Sequence, residues 1–267
     1  MRIPHDDVVA LMDEASERLV MPRFGALQAG DIDEKRANDF VTIADREAER
    51  FLAPRLEGLL PGSLALGEEA TAANPTLLAR LDGDTPLWII DPVDGTRSFI
   101  EGKPDFGLIV ALSRGDEVLG GWILQPTLGR RVAAERGAGV MRSGLPPRDD
   151  AASGPAGALP RIIALGRLPD GGRARDRAAG RFDLRPRPGG GAIAFLDVAW
   201  STADIAYFAR GWPWDHAAGA LIVEEGGGAA RFMRDARAYT PRRWNEPLLV
   251  TRDAADWPVA RAALTDP

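Results

Sequence analysis

The chain has 267 residues and a formal net charge of −6 without a basic tract, so it can bury a core, and a nucleic-acid polymer is an unfavourable partner. The absence of cysteine excludes disulfides, thiolate metal sites and cysteine nucleophiles, and it fits a cytoplasmic location. The first residues, MRIPHDDVVALMDEA, lack the apolar centre of a signal peptide, and no apolar run approaches the length of a membrane span.

The first half of the chain is predicted to form two helices followed by strands. Apolar residues at helical spacing predict a helix over residues 6–20, and a polar loop is expected over 28–40. A second helix is predicted to begin near Thr42 and to end at Pro61-Gly62. Strands are predicted at 63–69, ending in two glutamates, at 87–90, and in a hairpin that turns at 113–116.

The second half is predicted to alternate strands with helices. Residues 143–160 are rich in Pro, Gly and Ala, which favours a boundary between two subdomains, 1–145 and 146–267. Beyond this boundary lies a glycine-rich turn at 189–191. The predicted strands are 162–165, 205–209, 229–233 and 247–251, and the predicted helices are 173–180, 192–200, one that begins at Asp215, and 254–264. This interleaving predicts an α+β or layered α/β fold.

Acidic residues recur where strands end or helices begin. They are Glu68, Glu69, Asp91, Asp94 and Asp215. Taken singly, each has a structural explanation: Asp91-Pro92 and Asp94-Gly95 are typical of turns, and Asp215 could cap a helix.

Taken together, these carboxylates indicate a site for hard divalent cations, which prefer oxygen ligands. Asp91 and Asp94 can approach one point, while Pro92 stiffens the link and Gly95 allows the backbone close to a ligand. The carbonyl of Val93 lies between them as a neutral ligand. Two metals that share a carboxylate form a clamp suited to phosphoryl transfer.

Four segments, in order, resemble signatures of the inositol monophosphatase family, which belongs to a Mg²⁺-dependent, lithium-sensitive phosphatase superfamily. They are KRANDFVTIADREAE at 35–49, GEE at 67–69, DPVDGTRSF at 91–99 and WDHAAGALIVEEGGG at 214–228. The resemblance implies a layered α-β-α-β-α sugar-phosphatase fold of two subdomains with the metal site between them. It also implies a homodimer, whereas the lack of a membrane-length apolar run predicts no membrane partner.

The resemblance assigns metal ligands to matching positions. Glu68, Asp91 and the Val93 carbonyl would hold the first Mg²⁺. Asp91, Asp94 and Asp215 would hold the second, so that Asp91 bridges the pair. A third, weakly held Mg²⁺ would lie near Glu68, giving two or three ions per site.

The resemblance also assigns catalytic roles to Asp45, Thr96 and Glu68. Thr96 would orient the attacking water, and Asp45 would hydrogen-bond to Thr96 and the water. The Gly95 and Thr96 amides could bind phosphate. Asp94 and Asp215 would contact the substrate as well as the metal.

The pattern departs from the family where the alcohol of the substrate should bind. Phe208 stands at the position of a glutamate that binds ring hydroxyls in inositol-specific members, and Gly189, Gly190 and Gly191 match a neighbouring turn. Phe208, Trp212 and Trp214 could form an apolar wall, although tryptophan here is more often part of the core. We therefore expect a broad phosphatase for small polyol or sugar phosphates. Histidinol phosphate, a nucleotide 3′-phosphate and a non-catalytic metal-binding role are the alternatives.

Overall fold

The structure, a computed structural model, describes residues 3–36, 39–144, 160–165, 173–186 and 189–265. Its α-helices are α1 (His5–Ala15), α2 (Ile43–Leu59), α3 (Glu68–Ala73), α4 (Thr96–Ile100), α5 (Arg173–Ala178), α6 (Gly191–Ala199), α7 (Pro213–Glu225) and α8 (Trp257–Leu264). A π-helical turn, Ser16–Val20, continues α1. The 3₁₀ helices are Met21–Arg23, Ala29–Asp31, Pro75–Asp82, Pro126–Leu128, Pro241–Arg243 and Ala254–Asp256.

The strands form three sheets. In chain order they are β1 (Ile32–Arg36), β2 (Asp39–Thr42), β3 (Leu64–Gly67), β4 (Leu87–Asp94), β5 (Gly107–Arg114), β6 (Glu117–Gln125), β7 (Arg130–Glu135), β8 (Gly139–Ser143), β9 (Arg161–Leu165), β10 (Asp183–Pro186), β11 (Ile205–Phe208), β12 (Ala229–Phe232) and β13 (Leu248–Thr251). β1 and β2 form an antiparallel hairpin, the six strands β3 to β8 lie in sequence order, and the last sheet runs β10-β9-β11-β13-β12.

Three hydrophobic clusters show how the layers stack. One cluster joins α1 and α2 to one face of the six-stranded sheet through residues such as Leu52 and Trp88. The central cluster places α6 and α7 between the two large sheets. The third packs α5 and α8 on the outer face of the five-stranded sheet. This order, helix-sheet-helix-sheet-helix, confirms the predicted layered α-β-α-β-α fold.

Helix α2 begins where the sequence predicts because Thr42 caps it. The Thr42 hydroxyl accepts a hydrogen bond from the Ala44 amide at 3.1 Å, and the Asp45 carboxylate accepts one from the Thr42 amide at 2.9 Å. This reciprocal arrangement satisfies amides that the first helical turn leaves unpaired. It also fixes the backbone around Asp45, a predicted catalytic residue.

The polar segment 28–40 differs from its prediction. A loop was expected, but the structure contains strand β1 and the beginning of strand β2. The hairpin is polar and largely exposed, so its sequence lacks the apolar alternation that identifies a half-buried strand. Strand β3 also differs from its prediction. It ends at Gly67 and not at residue 69, because Glu68 and Glu69 form the first turn of helix α3.

The two large sheets come from different parts of the chain. The six-stranded sheet is built from residues before 145, and the five-stranded sheet from residues after 160. The division at 145/146 stays a prediction, because 145–159 lie outside the described residues. Within the ranges that the structure describes, no helix is long and apolar enough to cross a membrane.

Gly121 lies where β6 packs tightly against helix α7. A Cβ atom there would lie 2.8 Å from the Ala218 Cα and carbonyl oxygen, which are backbone atoms that cannot move alone. We expect Gly121→Ala to lower the free energy of unfolding by about 1–3 kcal/mol, measured by urea denaturation.

Gly58→Ala is the matched control, because Gly58 lies in α2 and an added Cβ would have nothing within 4 Å. Its free energy of unfolding should stay unchanged or rise by up to about 1 kcal/mol, since alanine favours a helix over glycine. Equal effects of the two substitutions would contradict the proposed close contact.

Candidate functional site

A cavity of about 890 Å³ opens where β4 and the first turns of α3 and α7 meet the β1–β2 hairpin. One part of its wall is carboxylate-rich, a second carries basic side chains, and a third is apolar. The carboxylate-rich part comprises Glu68, Glu69, Asp91, Asp94 and Asp215. Thr96 and the backbone at Val93 and Gly95 lie beside it.

Three predicted metal ligands converge in this cavity. Carboxylate oxygens of Glu68, Asp91 and Asp215 all lie within 4.8 Å of one another. Strands β3 and β4 are parallel neighbours in which Gly67 pairs with Ile90, so the next residues lie side by side, with Glu68 at the start of α3 and Asp91 still within β4. Asp215 reaches the same point from the first turn of α7. The three residues are distant in sequence but are brought together by sheet register and one helix start.

An irregularity in strand β4 turns Asp91 and Asp94 to the same side. Residues three apart on a regular strand point to opposite faces. Here Asp91 pairs with Ile109 and Asp94 pairs with Gly107. The chain therefore advances three residues along β4 while its partner β5 advances only two. The extra residue is a β-bulge, which redirects side chains and is common next to functional sites.

Asp94 is held by the second half of the chain. Its two carboxylate oxygens accept hydrogen bonds from the amides of Gly191, at 3.0 Å, and Ala192, at 2.7 Å, at the start of α6. A Cβ atom at Gly190 would overlap the Asp94 carboxylate. The predicted glycine turn 189–191 therefore lies against Asp94, and glycine is required there for a steric reason.

Thr96 links the strand end to Asp45. Its hydroxyl lies 3.2 Å from the Asp45 carboxylate and 3.1 Å from the Val93 carbonyl oxygen. Asp45 is buried, and this burial raises its pKa to about 6, although its hydrogen bonds with Thr42 oppose the shift. The structure thus brings together Thr96 and Val93 from the motif at 91–99 and Asp45 from the motif at 35–49.

Lys35 and Glu49 form hydrogen bonds within the site, although the sequence motifs assign them no role. The Lys35 ammonium donates to Glu68 at 2.8 Å and to Glu69 at 3.0 Å. Burial lowers the pKa of Lys35, but the two glutamates outweigh that effect and raise it. The Glu49 carboxylate accepts from the Glu69 and Ala70 amides at 2.7 and 2.8 Å, which fixes the start of α3. Both residues lie in the segment 35–49 that carried the family resemblance.

The electrostatics of the cluster favour a cation. Burial raises the pKa of Asp91 well above its ordinary value, and the neighbouring carboxylates, Glu68 first, raise it further. Burial, followed by the charges of Asp94 and Glu68, raises the pKa of Asp215 in the same way. These carboxylates can lie close together in their unprotonated form only when a positive charge is bound among them. An all-oxygen donor set of carboxylates and a carbonyl fits Mg²⁺, so the residues present could hold the predicted metal.

Phe208 does not reach the cavity, which corrects its predicted role as a substrate contact. Its side chain is 3 % exposed, stacks on Phe195 with ring centroids 4.9 Å apart, and meets the edge of His216. The reason is that β11 is a central strand covered on both sides, and Phe208 faces the central cluster beneath α6 and α7. Trp212 and Trp214 do line the cavity.

Comparison with known proteins agrees with this fold. The sequence model of the inositol monophosphatase family matches residues 8–250. A histidinol-phosphatase from Mycobacterium tuberculosis is 34% identical over 233 residues, covering 84% of this chain and 86% of the relative. An inositol-1-monophosphatase from Rhizobium meliloti is 33% identical over 216 residues, covering 77% and 76%. The solved structure of a Thermotoga maritima IMPase aligns with a TM-score of 0.77 at 24% identity, covering 97% and 96%.

The family match defines a phosphoric monoester hydrolase, and the family acts on small phosphorylated substrates. The chain belongs to the inositol monophosphatase family, as the sequence resemblance predicted. This family is metal-dependent, and the cluster of Glu68, Asp91 and Asp215 is an acidic group that could hold a metal ion.

If this cluster binds Mg²⁺, the ion must stabilise the folded chain. We expect Mg²⁺ to raise the melting temperature, because a ligand at 100 times its Kd adds about 2.7 kcal/mol to stability. Asp91→Asn and Glu68→Gln should lose most of this rise, whereas Glu14→Gln, on the exposed face of α1, should retain it. Differential scanning calorimetry across a Mg²⁺ titration measures the effect. An undiminished rise in Asp91→Asn would place the ion elsewhere.

Proposed function

We propose that this protein is a Mg²⁺-dependent phosphomonoesterase that hydrolyses small polyol or sugar phosphates by attack of a water molecule. The observation that supports the proposal is the convergence of Glu68, Asp91 and Asp215 within 4.8 Å, in a cavity that also exposes Thr96. The ligands assigned to the metal are Glu68, Asp91, the Val93 carbonyl, Asp94 and Asp215, with two Mg²⁺ ions and a third near Glu68. When bound, these ions would lower the pKa of water and neutralise charge on the phosphate.

Thr96 and Asp45 orient the attacking water. A hydroxyl has one proton, and the Thr96 hydroxyl can donate it to Asp45 at 3.2 Å or to the Val93 carbonyl at 3.1 Å. Either choice leaves the lone pairs of the Thr96 oxygen free to accept a hydrogen bond from water. A water held in this way presents its own lone pair to the phosphorus, and Asp45 fixes the hydroxyl that holds it.

The phosphate would lie between the carboxylate cluster and the backbone at Gly95 and Thr96. Gly95 has a φ of 86°, a left-handed conformation that glycine adopts readily, and an added Cβ would approach the Asp105 carbonyl to 2.9 Å. We assign the Gly95 and Thr96 amides to the phosphate oxygens. Asp94 and Asp215 then contact both the metal and the bound ester.

The substrate alcohol is proposed to be recognised loosely. The relatives named histidinol-phosphatase and inositol-1-monophosphatase are 34% and 33% identical, so overall similarity does not separate the two activities. A hydroxyl-binding acceptor pair is missing at Phe208, because a phenyl ring has no acceptor atom, and the ring is buried in the core as well. We therefore propose that inositol phosphate is hydrolysed without strong preference. Inhibition by Li⁺ and a homodimer remain predictions from the family resemblance, and a cytoplasmic location remains a prediction from the absence of cysteine.

The first functional test is phosphate release from inositol, histidinol, sugar and nucleotide phosphates at one Mg²⁺ concentration. We expect release that requires Mg²⁺ and kcat/KM values within about a thousandfold of one another, since a larger ratio needs roughly 4 kcal/mol of selective binding. Asp91→Asn should lower kcat by at least about a hundredfold, because it removes a charge that positions the metals. Metal-independent release, or an active Asp91→Asn, would contradict the proposal.

Thr96 offers a separate test of the water. Thr96→Val keeps the shape of the side chain but removes the hydroxyl, and we expect kcat to fall about a hundredfold, the low end of what a positioned proton-transfer group contributes. Thr96→Ser retains the hydroxyl and should stay within about tenfold of the unmodified protein. Mg²⁺-induced thermal stabilisation should be similar in both variants. A comparable kcat for valine and serine would remove Thr96 from the water site.

A further inference from the structure

A buried arginine lies outside the cavity, at the first residue of strand β7. Arg130 is 6 % exposed and faces Gln125 across the pairing of β6 with β7. Its Nε atom donates a hydrogen bond to the side-chain oxygen of Gln125 at 2.8 Å, and its Nη2 atom donates to the same oxygen. Its Nη1 atom lies 3.6 Å from the Asp197 carboxylate. Burial lowers the pKa of Arg130, whereas the charges of Asp197 and Asp105 oppose this change. Burying a charge is costly unless partners of this kind surround it.

Gln125 extends the contact from Arg130 to the segment that precedes β5. Because the Gln125 oxygen accepts from Arg130, its NH₂ group faces away and donates to the Pro104 carbonyl at 2.8 Å. Thr127 donates to the same carbonyl at 2.8 Å. A rotated amide would place the NH₂ group against a guanidinium, which also has only donors. Arg130 therefore fixes the orientation of Gln125, and with it the position of Pro104.

The next residue along the chain, Asp105, lies against two glycines of the candidate site. A Cβ atom at Gly95 would lie 2.9 Å from the Asp105 carbonyl oxygen, and one at Gly189 would lie 2.5 Å from it. Gly95 carries one of the amides assigned to the phosphate. Gly189 begins the turn whose next residue, Gly190, lies against the Asp94 carboxylate. The place of the Asp105 carbonyl therefore limits where both of these backbone segments can lie.

Asp197 connects Arg130 to helix α6 as well. The first two amides of this helix hold both carboxylate oxygens of Asp94. Asp197 lies six residues beyond Gly191, the first residue of the helix, which is about 9 Å along the axis. A helix of this length moves as one unit, so a contact at Asp197 restrains the amides at its start. Arg130 thus supports Asp94 in two ways, through α6 and through the glycine turn that Gln125 helps to place.

We propose that Arg130 is a positioning residue for metal binding. By holding helix α6 and the segment that contains Asp105, it places the Asp94 carboxylate for Mg²⁺ and the Gly95 amide for the phosphate. The proposal rests on the proposed phosphatase function and adds a residue that supports that same site. Arg130 itself touches neither the metal nor the substrate. Its loss should weaken Mg²⁺ binding, because Asp94 could then move away from the neighbouring carboxylates that repel it.

The test measures the Mg²⁺ affinity of the full chain by isothermal titration calorimetry, without substrate. Arg130→Met keeps the length of the side chain but removes its charge and its donors. We expect the Kd for Mg²⁺ to rise about tenfold, the low end of what outer partners of metal ligands contribute. An unchanged Kd would overturn the proposal.

Arg131→Met is the matched control. Arg131 is the next residue of β7, so its side chain points to the opposite face of the sheet, where it pairs with Asp13 of α1. The substitution removes an ion pair but no support of Asp94, and the Kd for Mg²⁺ should stay within about twofold of the unmodified value. Equal weakening in Arg130→Met and Arg131→Met would indicate general loosening of the sheet and would contradict a positioning role.

A double-substitution cycle shows whether Arg130 acts through Asp94, since coupled residues do not contribute additively. When Asp94→Asn is already present, adding Arg130→Met should raise the Kd by less than about twofold, because the ligand that Arg130 supports is already impaired. When Glu68→Gln is present instead, the same addition should still raise the Kd about tenfold. A tenfold effect in the Asp94→Asn background would exclude Asp94 as the residue through which Arg130 acts.

Arg130→Lys covers the case in which Arg130→Met does not fold. Lysine keeps a positive charge near Asp197 but lacks the planar fork that donates twice to Gln125, so the Kd should rise about threefold. If the methionine variant does not fold and the lysine variant has an unchanged Kd, the proposal fails. If the unmodified protein binds no Mg²⁺, the proposed function itself fails. If it binds Mg²⁺ and releases phosphate but Arg130→Met leaves the Kd unchanged, only the positioning role fails.

Discussion

The repulsion between buried carboxylates is the constraint on which the rest of the structure depends. Asp91 is 2 % exposed and faces Glu68 and Asp215 at a few ångströms. At an effective dielectric constant of about 20, two like charges 4 Å apart repel by about 4 kcal/mol. Side chains free to move would separate, so the backbone must hold them. The parallel pairing of β3 with β4, the bulge in β4 and the start of α7 are the elements that do so.

Around this cluster, several groups offset part of the charge without occupying its centre. Lys35 donates to Glu68 and Glu69, and the amides of Gly191 and Ala192 donate to Asp94. Asp215 also lies in the first turn of α7, where the helix dipole favours a negative charge. These groups support Glu68, Asp94 and Asp215 individually, and a divalent cation bound at the cluster would offset the charge that they leave.

The sequence predicted what depends on local chemistry and missed what depends on neighbours in space. The cap at Thr42 and the hairpin turn near residue 115 follow from short-range preferences, and both are found. The bulge between Asp91 and Asp94 could not be read from the chain, because it is defined by pairing with Ile109 and Gly107 on another strand.

The same limit explains the errors at the substrate side of the cavity. Phe208 corresponds to the family glutamate when positions are counted back from Trp214, but a count along the chain does not show which face of a covered strand a residue occupies. The sequence shows no motif that points to Trp244, because its ring stacks on that of Trp212 from a segment some 30 residues further along the chain. Lys35 belonged to a recognised segment, yet its role emerges only when the β1–β2 hairpin brings it to Glu68 and Glu69.

The position of the site also links metal binding to the stability of the fold. Glu68, Asp91 and Asp94 come from the six-stranded sheet and its connections, whereas Asp215 and the amides that hold Asp94 come from α7 and α6, the layer between the sheets. A cation bound by both sets would be a tertiary contact between these layers. Because the unfolded chain has no such cluster, the free energy of metal binding adds directly to that of folding. Loss of the cation would then restore the repulsion at the junction where α6 and α7 meet the end of β4, so this junction should be the first part of the fold to loosen.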